Sequence, residues 1–349
     1  MRFQGRRARG VPERSAGVAP VSAVGGRGRL PAFLGDKAIM HPTLATARTI
    51  RDLARPFTLL APALGMASGA VTAMGAQRFG TPIHVEPWML RNVVLGALMA
   101  ALLNAASNVL NQIYDLDIDR INKPSRPLVS GRASKGLAWR VSLACYGLAL
   151  GLAYVVSPPG TRCACLILAT AAAAATVAYS VPPLRWKRLG LGANLVIAVP
   201  RGMLLKVAGW AVIRPVTTFE PWFIGGVFFL FLLGATTTKD YADIAGDAAG
   251  GCRTLPIRCG VRRSALLISP SFVLPFLLIP VGAWSGVLTG NRMALCVLGG
   301  VLAAWGGYVV YLILRDPQAL ASTENHPSWR HMYAMMFLAQ IGFAVAYCL

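Results

Sequence analysis

Six of the chain's 13 acidic residues lie in two short windows. In the first, NQIYDLDIDR, Asn111, Asp115 and Asp119 recur at every fourth position, so on a helix they stack along one face. In the second, KDYADIAGD, Asp240, Asp243 and Asp247 follow at i, i+3 and i+7, again one face. Asp117 falls off the first stripe and is expected to meet water or a neighbouring cation. Oxygen-only sets of this kind suit Mg²⁺, which is usually held by one or two carboxylates together with substrate phosphates. Two facing sets could hold two ions bridging to a diphosphate, with Lys and Arg taking the remaining charge. The cations are at hand. Lys123 and Arg126 follow the first window, Lys239 precedes Asp240, and Arg185, Lys187 and Arg188 sit in YSVPPLRWKR. Neutralisation of this sort lets a diphosphate depart, because charge builds on the leaving oxygen.

The elements that must position these residues are apolar. The chain of 349 residues is 55% hydrophobic and 13% charged, whereas soluble domains carry roughly 25% charged residues. A helix needs about 20 mostly apolar residues to cross a bilayer. Nine stretches qualify: 56–76, 88–113, 137–157, 163–181, 191–213, 220–238, 264–285, 293–314 and 330–349. Helices satisfy their own backbone groups in lipid. The expected fold is therefore an all-α membrane protein, a bundle of about nine transmembrane helices with a cytoplasmic-side cap of loops and short helices. Pro182-Pro183 ends the fourth span. An Asp deep in a bilayer costs about 2.5–3.5 kcal/mol, so the two acid clusters, at the ends of the second and sixth spans, belong in a wet cavity beside cations or metal. Arg201 and Lys206 fall inside the fifth span, where a buried cation near carboxylates is a pointed feature, and Asn194 is a candidate lining residue. Arg55-Pro56 reads as a membrane-edge anchor for the first span.

The net charge of +21 invites a nucleic-acid reading, but its distribution argues against one. Basic residues concentrate in loops 115–140, 182–190 and 239–263, while the alternate loops hold mainly Arg78, Arg162, Arg214 and Arg292. With nine spans the basic loops share one face, which the positive-inside rule makes cytoplasmic, with the N-terminus there and the C-terminus outside. The seven cysteines form no metal or disulfide pattern. Residues 1–45 form a basic extension rich in Arg, Gly, Ala and Pro, without the apolar core of a signal peptide. It reads as a disordered tail or an upstream start with initiation at Met40, with an organellar transit peptide as the other reading. Residues 41–54 can form a short amphipathic helix, and residues 46–349 are expected to form one domain.

These motifs resemble the UbiA superfamily of intramembrane prenyltransferases. The family's first motif, Asn-Asp-x2-Asp-x3-Asp, is similar to Asn111-Gln112-x2-Asp115-x3-Asp119. Gln112 departs from the family acid and resembles the homogentisate prenyltransferase and chlorophyll synthase branches. Asn122, Lys123, Arg126, Pro127 and Gly131 match the family's Asn-Lys-Pro-x-Arg-Pro-x3-Gly run. YSVPP, the Asp243–Asp247 motif and the following Thr-Leu-Pro run appear in family order. The resemblance implies Mg²⁺-dependent transfer of a polyprenyl group from a prenyl diphosphate, drawn from membrane lipid, to an acceptor. Asp115, Asp119, Asp243 and Asp247 would hold the metal. Asn111, Lys123, Arg126 and Lys187 would bind diphosphate, with Tyr179, Asn194, Arg201, Lys239 and Asp240 as further substrate contacts. Tyr114, Tyr179 and Tyr241 could stabilise an allylic cation. Gln112 and the KDxxDIxGD pattern lean toward an aromatic acceptor of quinone or tocopherol biosynthesis. Chlorophyll-synthase-like and ether-lipid enzymes are the alternatives. A multi-pass protein of a bacterial-type plasma membrane follows, with an organellar membrane as the other setting. A cation-coupled secondary transporter is the non-enzyme rival, but transporter sites lie near the midplane on broken helices. A CDP-alcohol phosphotransferase would need an Asp-x2-Asp-Gly-x2-Ala-Arg core, which the chain lacks.

Overall fold

The computed structural model describes residues 42–77, 85–161, 163–323 and 326–349. Residues 1–41 of the expected extension, and Arg78 and Arg162 of the alternate loops, lie outside the described residues. Among the described residues every regular element is helical. An amphipathic α1 (Pro42–Ala54) starts inside the stretch read as extension and ends at Arg55, whose φ of 59° is the left-handed geometry that closes helices. The first span, α2 (Phe57–Gly75), follows at once, then α3 (Pro87–Tyr114) and the short α4 (Leu116–Asn122). Pro87 opens α3 where a missing N–H costs nothing. The Ser134 hydroxyl accepts from Leu137 N at 3.1 Å and caps α5 (Lys135–Val155). Next comes α6 (Ala164–Ser180).

The fifth span is divided into α7 (Leu191–Ala198), a π-helical segment at Val199–Leu204, and α8 (Leu205–Ala211). Pro200 has no N–H to complete an α-helical turn, and the helix widens there. The sixth span joins α9 (Phe219–Ala235) and α10 (Thr237–Asp240), and α11 (Ile244–Ala249) and α12 (Leu255–Cys259) cap that end. The seventh breaks between α13 (Val261–Ile268) and α14 (Leu274–Trp284), at a turn rich in Pro and Ser. The chain finishes with α15 (Arg292–Arg315), the small α16 (Ala319–Ser322) and α17 (Pro327–Cys348). Among the described residues eight stretches are long and apolar enough to cross a membrane, and α6, at 17 residues, is the shorter ninth. The expected count therefore holds approximately, with α6 at the lower limit for a span.

Small residues let the spans approach closely, as packing in lipid requires. Where α2 crosses α8, a Cβ on Gly209 would lie 2.4 Å from the Met66 carbonyl oxygen. Phe231, Phe272 and Phe276 fill the core beside these crossings, with ring centroids 5.2–5.9 Å apart around Phe231. Leu143, Leu148, Ile167, Leu267 and Val297 point outward, as an apolar solvent allows.

Candidate active site

Neither carboxylate stripe is one straight helix. The chain steps at Asp115, between α3 and α4, and again at Tyr241–Asp243, between α10 and α11. Residue spacing alone does not register these steps, because the i to i+4 hydrogen bonds Asp115 N to Asn111 O and Asp119 N to Asp115 O both persist across the first one. The carboxylates still converge. Asp115, Asp119, Asp240, Asp243 and Asp247 line one polar cavity of about 630 Å³, together with Asn111, Arg126, Tyr179, Lys187, Asn194 and Lys239.

Asp115, Asp119 and Asp243 each meet a cation. Lys187 forms a buried ion pair with Asp115, and Arg185 approaches the same carboxylate at 3.5 Å. Asn111 Nδ2 donates to the other oxygen of Asp115 at 2.7 Å. Arg126, half-buried, pairs with the buried Asp119. Lys123 and Lys239 reach Asp243 at 3.5 and 3.8 Å. Lys123 does so from outside, bordering a separate cleft beside Pro124 and Ala242 rather than the polar cavity. Asn194 is tied to α9 and α10 by donating to Leu233 O at 3.2 Å and Thr237 Oγ1 at 2.5 Å. Asp117 is 90% exposed and pairs with Arg120 at 2.7 Å, outside the cavity.

Two glycines set the distance between the motifs. Gly246 on α11 and Gly250 at its C-terminal cap face Asn122 and Ile118, one turn apart on α4. A Cβ on Gly246 would lie 2.5 Å from Asn122 Nδ2, and one on Gly250 would lie 2.5 Å from Ile118 Cδ1. Asn122 uses this closeness. Its Oδ1 accepts from Gly246 N and its Nδ2 donates to Asp243 O, each at 3.0 Å. The first motif is thus fastened to the second through one side-chain amide, a role that the Asn-Lys-Pro run did not disclose.

The cavity's electrostatics suit a divalent cation. Burial, reinforced by Asp243 next to it, pushes the Asp247 carboxyl up to about 6 against the pull of Lys187 and Lys239. Burial also raises Asp119, against the opposing pull of Arg126. Asp243 Oδ1 is buried and, with the Lys123 ammonium 3.5 Å away, accepts no hydrogen bond among the described residues, so it retains an oxygen lone pair for a ligand. Among the described residues no three His, Cys, Asp or Glu side chains are drawn together tightly enough to hold a metal alone. The cations hold the acids apart. A Mg²⁺ site completed by phosphate oxygens needs only one or two carboxylates from the protein, so the donor set fits.

Two more cavities adjoin. A larger one, of about 1370 Å³, shares Asn111, Tyr179, Lys239 and Asp240 with the polar cavity and continues past Arg55, Arg201, Trp329 and Tyr333. A third, of about 520 Å³, shares Arg201, Pro200 and Leu205 with it and runs between Met99, Leu103, Leu168, Ala172 and Ala208. Arg55 therefore lines the interior and is not a membrane-edge anchor, since its left-handed backbone at the α1–α2 turn sets it against the bundle. Of the three tyrosines, only Tyr179 lines the site. Tyr114 packs edge-on against Trp139 at 6.0 Å, and Tyr241 is buried with its hydroxyl donating to Ser264 Oγ at 3.0 Å. Lys206 points away from all three cavities, donating to Ser68 Oγ at 2.9 Å and lying 4.3 Å over the Phe228 ring. Trp329 and Tyr333 carried no signal in the sequence, because aromatics are ordinary in spans.

Residues 66–341, which carry both carboxylate motifs, match the UbiA prenyltransferase family. The chain belongs to that family. A UbiA relative from Methanoculleus marisnigri, a digeranylgeranylglyceryl phosphate synthase, is 31% identical over 256 residues, covering 72% of this chain and 86% of the relative. A rice relative, probable homogentisate phytyltransferase 2 of the chloroplast, is 32% identical over 225 residues, covering 61% of this chain and 56% of the relative. The chain thus spans just over half of the plant protein's length. The fold is shared with a solved UbiA homolog from Archaeoglobus fulgidus bound to DMAPP and Mg²⁺, at a TM-score of 0.62 and 21% identity over 85% of this chain and 99% of that one.

Proposed function

We propose that the chain transfers a polyprenyl group from a prenyl diphosphate to an aromatic acceptor, with Mg²⁺, as one domain spanning residues 46–349. The observation that carries this reading is the junction of cavities. A polar chamber holding both carboxylate sets opens through Tyr179 and Asp240 into a mixed chamber, and that one continues into an apolar slot between α3, α6 and α8. An amphiphile with a diphosphate head and an isoprenoid tail has that polarity profile.

In this reading Asp115, Asp119, Asp243 and Asp247 would hold Mg²⁺, which would supply neutralisation of the charge on the departing diphosphate. Arg126, Lys187 and Lys239 bind diphosphate oxygens, with Asn111 and Asn194 fixing the walls and Lys123 steadying Asp243 from outside. The allylic C–O bond breaks, and Tyr179 presents its ring at the boundary where positive charge develops. The acceptor attacks the allylic carbon, and the proton it loses passes to the Asp240 carboxylate. The tail lies in the apolar slot. The three basic loops meet at the carboxylate end, which supports a cytoplasmic site in a bacterial-type plasma membrane, with the N-terminus on that side and the C-terminus outside. A glyceryl ether phosphate acceptor is the second reading, favoured by the likeness to the archaeal synthase over most of that protein's length.

The direct test is label transfer from radiolabelled geranylgeranyl diphosphate by the full chain in detergent, with Mg²⁺ or EDTA, to homogentisate, 4-hydroxybenzoate or geranylgeranylglyceryl phosphate. EDTA-sensitive transfer to an aromatic acceptor is expected. Folded protein that neither binds the diphosphate nor transfers label would refute the reading. Within the same assay, Asp117→Asn is expected to leave initial rates within about twofold, as exposed substitutions do. A loss matching that of Asp119→Asn would show that the wrong face was chosen.

A further inference from the structure

The cap at the carboxylate end carries a second set of cations that prenyl transfer does not use. Lys187 turns into the polar cavity, whereas Arg188 beside it is exposed and lines none of the three chambers. Its guanidinium donates to Gly250 O at 3.1 Å, across to the segment that follows α11. Arg258 returns from that segment. A Cβ on Gly190 would lie 3.1 Å from Arg258 Nη1 and 2.7 Å from the Arg253 carbonyl oxygen. A bare glycine, with a φ of 65°, lets the two segments touch there. Arg262 and Arg263 follow in the first turn of α13. All five arginines are exposed, and among the described residues none of them has an ion pair. The chain has no acidic residue between Asp119 and Glu220, and none between Asp247 and Asp316. Neither segment therefore brings these cations a carboxylate of its own.

Their height in the bilayer is set by the residues below them. Leu266 and Leu267 are exposed one turn along α13 from Arg262 and Arg263, and Leu191 and Leu195 are exposed on α7 just after Arg188. Exposed leucines on a span face acyl chains. Trp186 is exposed in the turn that carries Arg188, and tryptophan settles at the headgroup level. Arginines one turn from lipid-facing leucines thus lie among headgroups, where the stem covers apolar surface and the guanidinium reaches a phosphate. Like charges gathered on one corner repel each other, and an anionic headgroup between the segments removes that repulsion. The same two segments wall the polar cavity, the first through Lys187 and the second through Cys252 and Thr254. Whatever draws them together steadies that wall.

We propose that the corner formed by Arg188, Arg253 and Arg258, extended by Arg262 and Arg263, binds the phosphate of an anionic phospholipid from the surrounding leaflet. The bound headgroup clamps residues 185–190 to residues 250–263. A lipid fits better than a free anion or an acidic protein, because its acyl chains run down the exposed leucines of α7 and α13, which neither of those would cover. Through Lys187 and Thr254 the clamp makes the transfer rate respond to the charge of the host membrane. That second half rests on the prenyl-transfer reading above, whereas the lipid site does not.

Binding and rate test the two halves separately. Equilibrium binding of fluorescent phosphatidylglycerol and phosphatidylcholine is measured on the full chain in detergent. Transfer from geranylgeranyl diphosphate with Mg²⁺ is measured in nanodiscs of phosphatidylcholine, with and without phosphatidylglycerol. The anionic lipid is expected to bind preferentially. Each arginine near it contributes roughly fivefold, so Arg258→Gln/Arg262→Gln/Arg263→Gln is expected to weaken its binding about a hundredfold. In nanodiscs the wild type is expected to run about fivefold faster with phosphatidylglycerol present, and the triple variant to match it in phosphatidylcholine alone but gain less than about twofold. Arg48→Gln/Lys135→Gln/Arg140→Gln removes the same charge elsewhere at that end and is expected to keep both responses. Arg262→Gln alone is expected to lose about fivefold in binding, which decides the binding half should the triple variant not fold. An unchanged lipid preference in the arginine variants, or an equal loss in the control, overturns the site. Equal acceleration by inorganic phosphate in phosphatidylcholine discs hands the corner to a free anion and overturns the lipid. Arginine-dependent lipid binding with equal rates in both bilayers overturns the clamp. Arginine-dependent lipid binding without transfer to any acceptor would refute the transferase reading and uphold the lipid site.

Discussion

Asp247→Asn is expected to lower prenyl transfer about a thousandfold while leaving the protein folded. A metal acting on a leaving group supplies several kcal/mol of charge stabilisation, and about 4 kcal/mol corresponds to a factor near a thousand in rate. The position separates catalysis from stability unusually well. Among the described residues Asp247 forms no ion pair, and burial together with Asp243 disfavours its charge. A neutral amide of the same size removes that repulsion, so the metal-free protein is expected to melt no lower than the wild type. Asp119→Asn is expected to lose as much activity but also stability, because it strands the half-buried Arg126. Initial rates with geranylgeranyl diphosphate and Mg²⁺, set beside melting temperatures in detergent, decide the matter. An Asp247→Asn protein with near-normal turnover would remove the metal assignment. One that has lost both activity and fold would make the residue structural.

Gly246→Val is expected to cost about a hundredfold in transfer without touching any acid. Its Cβ would meet the Asn122 amide at 2.5 Å, and the added methyls would reach further. The contact can relieve itself by Asn122 turning away or by α11 lifting from α4. Either route loses the two hydrogen bonds that tie the motifs and widens the gap between the carboxylate sets. Misplacing a reacting constellation by about 1 Å can cost 10²-fold. Gly246→Ala is expected to fall between the two. The diagnostic reading is the Mg²⁺ dependence of the rate, because separated carboxylates demand more metal before reaching the same velocity. If the valine variant matches the wild type at every Mg²⁺ concentration, the spacing set by Gly246 is not part of the site.

The fold was legible because lipid demands long apolar runs, and those runs fix where each helix lies to within a few residues. The acids were legible for the opposite reason, being costly where they stand. The steps at Asp115 and at Tyr241–Asp243 were not, since spacing of three or four reads alike on a continuous helix and on two short ones end to end. Arg55 was misread because an Arg-Pro pair at a span boundary has the same sequence whether the guanidinium turns to headgroups or inward. The left-handed residue that ends α1 decides between them, and an arginine gives no sign of φ. Tyr114 and Tyr241 stood nearer the motifs in sequence than Trp329 and Tyr333, yet the chain's return through α17 brings the latter pair to the chamber.

The 17 residues of α6 give a helix about 26 Å long, where the 28 of α3 beside it give about 42 Å. A hydrocarbon layer about 30 Å thick overreaches α6, and lipid must thin or flanking groups must stretch to meet it. This hydrophobic mismatch falls on the flank where α6 walls the apolar slot. Acyl chains next to it are already compressed, so a long isoprenoid sliding sideways into the protein displaces a strained annulus instead of a relaxed one. The thickness of the host bilayer thereby becomes a term in substrate capture, set by a helix a few residues shorter than its neighbours.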